Sequence, residues 1–279
     1  MEKQNKKRHL IIPIFLPFVG CKNHCIYCNQ RLLHPENTEL SETAFDNIIM
    51  EYTNTCRWKR EDTDIEVAFY GGSFTGIERK MQIEVLDYLQ KHIRDHKIDG
   101  IRFSTRPDMI DADLLKIYRE MAVKTIEIGA QSFNDSVLQS IKRGHSAQDT
   151  RDSITLLKSY EFRTSIHLMF GLPGSTIEDD KESIEETIRL SPDYVRIHPT
   201  LVLKGTELER LYREGRYKPL EIYEAVEIIR YALKGFEDAD IKVIRVGLHN
   251  DEYLANPDTV VAGPFHPSLR TLAEQKNRG

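Results

Sequence analysis

Three of the four cysteines crowd into eight residues, as Cys21, Cys25 and Cys28. Thiolates are soft ligands that suit zinc and iron–sulfur clusters. A structural zinc closes its shell with four ligands, and His24 or Cys56 is available to complete such a set. A cubane 4Fe–4S cluster ordinarily takes four cysteines. Held by three, it leaves one iron open to a substrate or cofactor. Both chemistries stand on the spacing alone. So few thiols, so clustered, do not make a disulfide framework; they point to metal chemistry in a reducing compartment, and a cytoplasmic location is expected.

Short strands and longer helices alternate around this cluster. Strands are expected at 10–16, 64–70, 101–105, 124–131, 163–170 and 193–198. Helices are expected at 41–58, 78–95, 111–121, 134–143, 147–160 and 177–190, the last opening on Thr176 and Asp179, which are spaced as an N-terminal cap. Alternation of this kind predicts parallel strands joined by right-handed crossovers. Six units leave a doubly wound sheet and an open, partial (β/α)6 barrel as the two architectures.

Side-chain parity favours the barrel. Ile126, Ile128 and Ala130 share one face of their strand, and Glu127, Gly129 and Gln131 the other. Ser165, His167 and Met169 share a face, as do Tyr194, Arg196 and His198. A parallel sheet covered on both sides is apolar on both. One polar face fits a lumen that holds a polar ligand. After residue 200 the rhythm changes. A loop containing Lys204, Gly205 and Arg216 precedes a helix at about 220–234 and a strand-like run at 241–246. The division expected is a barrel core over 1–200 and an extension over 201–279 packed on it.

The 279 residues carry a net charge of -5, which argues against bulk electrostatic binding of nucleic acid. No apolar run is long enough to cross a membrane. Lys3, Lys6, Lys7 and Arg8 before the run Leu10 to Val19 have the order of a secretory leader. However, Pro13, Pro17 and the missing small-residue cleavage site favour a solvated tail and a buried first strand. Lys204, Arg210, Arg213, Arg216 and Lys218 form a local basic stretch that phosphates could contact. Glu207, Glu209 and Glu214 in the same stretch favour a solvated surface instead.

The pattern Cys21-x3-Cys25-x2-Cys28, with Tyr27 before the last cysteine, resembles the signature of the radical S-adenosylmethionine (SAM) enzymes. The resemblance implies a partial (β/α)6 barrel of the TIM-like kind with the cluster loop after its first strand. It also implies a 4Fe–4S cluster whose open iron chelates SAM, and an electron donor such as flavodoxin or ferredoxin. Reductive cleavage of SAM then gives methionine and a 5′-deoxyadenosyl radical. Further motifs follow in order. Tyr70-Gly71-Gly72-Ser73 resembles the Gly-Gly-Glu motif, implying that Gly71, Gly72 and Ser73 receive the SAM amino group. Ser104 stands where many relatives place a glutamate near that group. Glu127 to Phe133 resembles the stretch that supplies a ribose-binding glutamine, here Gln131. Arg143 matches a carboxylate-binding arginine. His167, at the head of His167 to Gly174, falls at a ribose-binding position, and Tyr27 covers the adenine side.

Within that family, Ser104 to Asp108, His198 to Thr206 and Gly215 to Lys218 resemble the radical SAM half of the Elongator catalytic subunit, over roughly residues 9–247. This makes tRNA a candidate partner. That subunit carries an acetyltransferase lobe beyond the stretch matched here, so acetyl transfer is not carried over. Its cluster cysteines are also more widely spaced. The alternatives are an anaerobic coproporphyrinogen-oxidase-like, heme-related protein, and a non-catalytic iron–sulfur binding module.

Overall fold

Seven strands, all parallel, make one curled sheet that forms a half-barrel. The computed structural model describes residues 8–16, 19–33, 41–248, 254, 256 and 258–275. Lys3, Lys6, Lys7 and Pro17 of the leader-like stretch lie outside them.

The strands are β1 (Arg8–Phe15), β2 (Thr63–Tyr70), β3 (Gly100–Thr105), β4 (Val123–Gln131), β5 (Arg163–Phe170), β6 (Tyr194–Pro199) and, after a two-residue β7 (Val202–Leu203), β8 (Lys242–Val246). Their order in the sheet is β1-β2-β3-β4-β5-β6-β8. The helices are α1 (Gln30–Leu33), α2 (Glu42–Thr55), α3 (Arg79–Arg94), α4 (Ala112–Glu120), α5 (Asp135–Ser140), α6 (Ala147–Ser159), α7 (Ile177–Leu190), α8 (Glu207–Arg213) and α9 (Ile222–Asp238), with a final short helix at Leu269–Glu274.

The expected parity holds. Ile12, Ile14, Val67, Phe69, Ile126, Ile128, Ile166, Leu168, Val195 and Ile197 point outward and share one buried core with apolar residues of the helices, such as Leu86, Leu89, Leu157 and Ile229. The alternate residues face the lumen. Local signals set the helix starts. Thr176 and Asp179 close a reciprocal capping box on α7, as their spacing predicts, and Ser146 and Asp149 do the same for α6. Each box satisfies two backbone N–H groups that the first turn leaves unpaired, and an N-cap side chain is worth about 1 kcal/mol.

Two features differ from the sequence reading. The run at 241–246 is a seventh strand of the main sheet: Tyr194 aligns with Lys242 and Arg196 with Arg245. The loop expected at 204–216 contains α8, capped by Thr206. There Arg213 pairs with Glu209 at 2.7 Å, Arg210 with Glu214 at 2.7 Å and Arg216 with Glu214 at 3.3 Å. Arg210 and Arg213 therefore spend their charge locally, because i,i+4 neighbours meet on a helix, and Arg216 meets Glu214 from the turn after it.

Candidate functional site

The cysteine loop follows β1 and is held from two sides. Ile26 donates its N–H to the carbonyl of Ile141 at 3.3 Å and accepts from Leu208 N–H at 2.8 Å. Its side chain is buried with Val137, Leu138 and Leu208. Cys21, Cys25 and Cys28 are free thiols, all half-buried, and all line a cavity of about 490 Å³ at the carboxyl ends of the strands. Burial, then the neighbouring Cys25 and Cys21, pushes the Cys28 thiol up to about 12; burial followed by Cys25 raises Cys21. The nearby Arg143 guanidinium works against that rise at both thiols without cancelling it, and a bound metal would supply further positive charge.

The donor set fits a cluster better than a single ion. Among the described residues, the three side chains whose ligand atoms all lie within 4.8 Å of one another are His9, Asp64 and Glu66. The three cysteine sulfurs are not all within that distance of one another, whereas four-coordinate zinc with bonds near 2.3 Å would draw them to about 3.8 Å apart. Neither sequence candidate for a fourth ligand lines the cavity. Cys56 follows α2, with its sulfur 3.9 Å from the Trp58 carbonyl, and His24 is exposed on the outside of the loop.

The glycine turn after β2 lies against the same loop. A Cβ on Gly72 would sit 1.9 Å from the Val19 carbonyl oxygen, so only glycine lets the two backbones meet. Ser73 N–H donates to that carbonyl at 2.9 Å, and the Ser73 hydroxyl lies 3.0 Å from that of Thr105. Gln30 donates to the Gly71 carbonyl. Ser104 and Tyr27 line the cavity.

Gln131 ends β4 with φ at 72°, a left-handed conformation that costs a non-glycine residue of order 1 kcal/mol or more. The pairing with β5 shifts register there. Arg143 donates to the Gly129 carbonyl at 2.6 Å and lies 3.4 Å from the Cys25 sulfur. Its buried Nε has no hydrogen-bond partner. A Cβ on Gly129 would stand 2.5 Å from the Arg143 guanidinium, so Gly129 makes room for it. Burial opposes the charge on Arg143, but Tyr27 and Cys25 beside it outweigh that and raise its pKa.

Below this level the lumen is occupied by charge. Glu127, fully buried, lies 2.8 Å from Arg102 Nε and 3.1 Å from Arg196 Nε, both ion pairs off the axis of a hydrogen bond. Tyr70 donates to it at 2.9 Å, and His167 Nε2 lies 2.6 Å away. Burial alone would raise the Glu127 pKa; Arg196, Arg102 and His167 hold it well below the carboxylate range. Burial lowers the pKa of His167, against the opposing pull of the Glu127 carboxylate. His167 therefore lines the cavity with one nitrogen already engaged.

The sequence-derived residues Cys21, Cys25, Tyr27, Cys28, Gly71, Gly72, Ser73, Ser104, Gln131, Arg143 and His167 all line this one cavity. Sequence reasoning missed Arg102, Glu66 and Arg245. For Glu66 and Arg102 the signal was present, since each lies on the polar parity of its strand; Arg245 shares its parity with Val243 and reaches the lumen face through a register shift between β6 and β8.

An open barrel whose soft ligands and ligand-shaped turns gather at the carboxyl ends of its strands is a cofactor-binding α/β protein. The chain belongs to the Radical SAM superfamily, whose model matches residues 15–187, and the Radical_SAM C-terminal domain matches 192–278. It is 38% identical over 140 residues to a tRNA uridine(34) acetyltransferase of Methanocaldococcus infernus, covering 49% of this chain and 26% of that protein. It is 24% identical to the heme chaperone HemW of Bacillus subtilis, over 94% of this chain and 76% of that one. Among solved structures, the archaeal Methanocaldococcus infernus Elp3 with an N-terminal deletion superposes with TM-score 0.71 at 25% identity, over 96% of this chain and 62% of that chain. The chain spans about a quarter of the length of the acetyltransferases it matches. No helix among the described residues is long and apolar enough to cross a membrane.

Proposed function

We propose that this protein is a radical SAM enzyme that cleaves SAM reductively at a 4Fe–4S cluster held by Cys21, Cys25 and Cys28. The observation that carries the reading is that three free thiols and the buried guanidinium of Arg143 open onto one cavity. When bound, the cluster supplies one electron to the SAM sulfonium. Arg143, with its Nε unspent, takes the SAM carboxylate. Gly71, Gly72 and Ser73 receive the amino group, with Ser104 beside them. Gln131, with two donors and an acceptor, and the free edge of His167 hold the ribose. Tyr27 covers the adenine side. Enclosure keeps water from reactive species. Residues 1–200 supply these groups, and 201–279 is an extension that adds β8 to the wall on the substrate side. A flavodoxin- or ferredoxin-like donor serves as reductant.

The likeness to tRNA uridine(34) acetyltransferases favours a tRNA-related substrate. The match to the heme chaperone spans more of both chains and supports a second, heme-related reading. Anaerobic reconstitution, then reductant and SAM, tests the first claim: 5′-deoxyadenosine and methionine are released. Iron binding without SAM cleavage would leave a binding module. Adding total tRNA or heme in separate arms, with mass spectrometry and absorption spectra, separates the substrate readings.

A further inference from the structure

β6 and β8 run in register at Arg196 and Arg245, so both side chains leave the sheet on its lumen face. Arg196 is spent: it pairs with Glu127 and lies over the Tyr70 ring at 4.4 Å. Arg102 balances the same carboxylate and reaches Glu66. Arg163 balances Glu66 and Asp64. Arg245 has no such partner. Among the described residues no carboxylate lies within ion-pair distance of it, although it is only partly exposed and lines the cavity. Burial and then the like charge of Arg196 push its pKa down, against a weaker pull from Tyr70 and Glu127, whereas the pKa values of Arg102, Arg143 and Arg163 are raised. A half-buried cation facing another cation is costly unless an anion arrives.

The surroundings select the form of that anion. His198, on the same face of β6, lines the cavity with its buried Nδ1 lacking a hydrogen-bond partner. Ile11, Pro13 and Leu248 add apolar wall from β1 and from the turn after β8. β1 and β8 are the two ends of the strand order, so this is the open side of the half-barrel.

We propose that Arg245, with His198, forms a subsite for an oxyanion of the substrate, a carboxylate or phosphate on a small, partly apolar molecule. The subsite is distinct from the groups assigned to SAM. The inference rests on the reading of the cavity as a SAM site only for what occupies the cysteine side. A polyanionic backbone is disfavoured because the guanidinium lies inside the lumen; a terminal group reaches it.

The test uses the full chain, anaerobically reconstituted, at constant ionic strength in chloride. Sodium acetate and sodium phosphate are titrated separately, read by the guanidinium N–H resonance of Arg245 and by Tm. SAM binding is measured in parallel. One of the two anions shifts the resonance and raises Tm, and which one does so identifies the class. Arg245→Gln weakens that anion roughly tenfold or more, as loss of a charge-assisted hydrogen bond does. Arg245→Lys retains binding within a few-fold. In anion-free buffer Arg245→Gln raises Tm, because repulsion from Arg196 is removed. A lower Tm in Arg245→Gln would reveal an internal counter-charge and overturn the proposal. So would an anion response in neither arm, or one that survives Arg245→Gln. A tenfold loss of SAM affinity in Arg245→Gln would place Arg245 in the SAM site and equally overturn it. Anion binding without SAM binding in the unmodified protein would sink the SAM reading and leave this subsite standing.

Discussion

The two ends of the barrel differ in how their polar groups are satisfied. At the amino-terminal end, Glu66 is fully buried and accepts from His9 at 2.9 Å and Thr125 at 3.2 Å, with Arg102 at 3.3 Å and Arg163 in contact as well. Burial raises its pKa, but His9, Arg102 and Arg163 more than offset this and lower it. At the carboxyl end groups are left open: the Nε of Arg143, the Nδ1 of His198 and the side chain of Arg245, beside three thiols of which Cys25 accepts from Arg143 at 3.4 Å. A charge-balanced network locks the strands together, although Nε and Nη2 of Arg102 make no hydrogen bond. An unsaturated one stores binding capacity for something that arrives later. Glu127 stands between them, saturated itself, with His167 as the link to the open end. His9, Asp64 and Glu66 have the spacing of metal ligands, yet Arg102, Arg163 and Lys124 already neutralise their carboxylates.

That contrast breaks in four places if it is wrong. Cys25→Ala removes iron binding altogether while costing little in chemical denaturation of the metal-free chain. A variant that kept a full cluster spectrum would remove Cys25 from the ligand set. Glu66→Gln does the reverse: it destabilises by about 3–5 kcal/mol, the cost of breaking a buried ion network, while iron content in the folded fraction stays constant. Urea titration and iron analysis on one preparation read both.

The third break is in pH. His145 is buried and His198 half-buried, and both are pushed down to about 4, His198 by loss of hydration and then His167, His145 by burial and then Arg143. A histidine with a depressed folded pKa binds fewer protons folded than unfolded. Its share of stability is therefore intact above its unfolded value of about 6.5 and falls between there and about 4, by about 1.4 kcal/mol per pH unit for each ring. His198→Asn flattens that slope by one ring's share, measured as Tm or urea midpoint against pH. An unchanged slope would mean that His198 is not held neutral.

The smallest effect is at Gln131. Its φ of 72° is strained, so Gln131→Gly relieves of order 1 kcal/mol and raises the urea midpoint, while SAM affinity drops. A destabilised variant would mean that the side chain supports the fold more than the ligand.

Much of this was legible in the chain because its signals are local. Period-two alternation marked the lumen face of β4, β5 and β6. The spacing of Thr176 and Asp179 marked the start of α7. Cys21, Cys25 and Cys28 lie within one loop, so their proximity needed no fold. What escaped depends on residues distant in the chain. The run at 241–246 reads as a strand, but its place beside β6 is set by hydrogen bonds across about fifty residues of intervening chain, which no window contains. The role of Gly129 appears only when Arg143, from the turn after α5, is laid against it. Glu66 and Arg102 look like ordinary strand-end charges until the curl of the sheet turns them toward each other.

Local spacing and parity in the sequence thus determined which residues have the chemistry to bind a cluster and a polar ligand, because covalent distance and side-chain alternation are properties of the chain itself. The closing of the sheet decided which charges were neutralised and which were left waiting. Counter-charges such as Glu66 with Arg163, or Glu127 with Arg196, meet only when strands far apart in sequence face one another across the lumen.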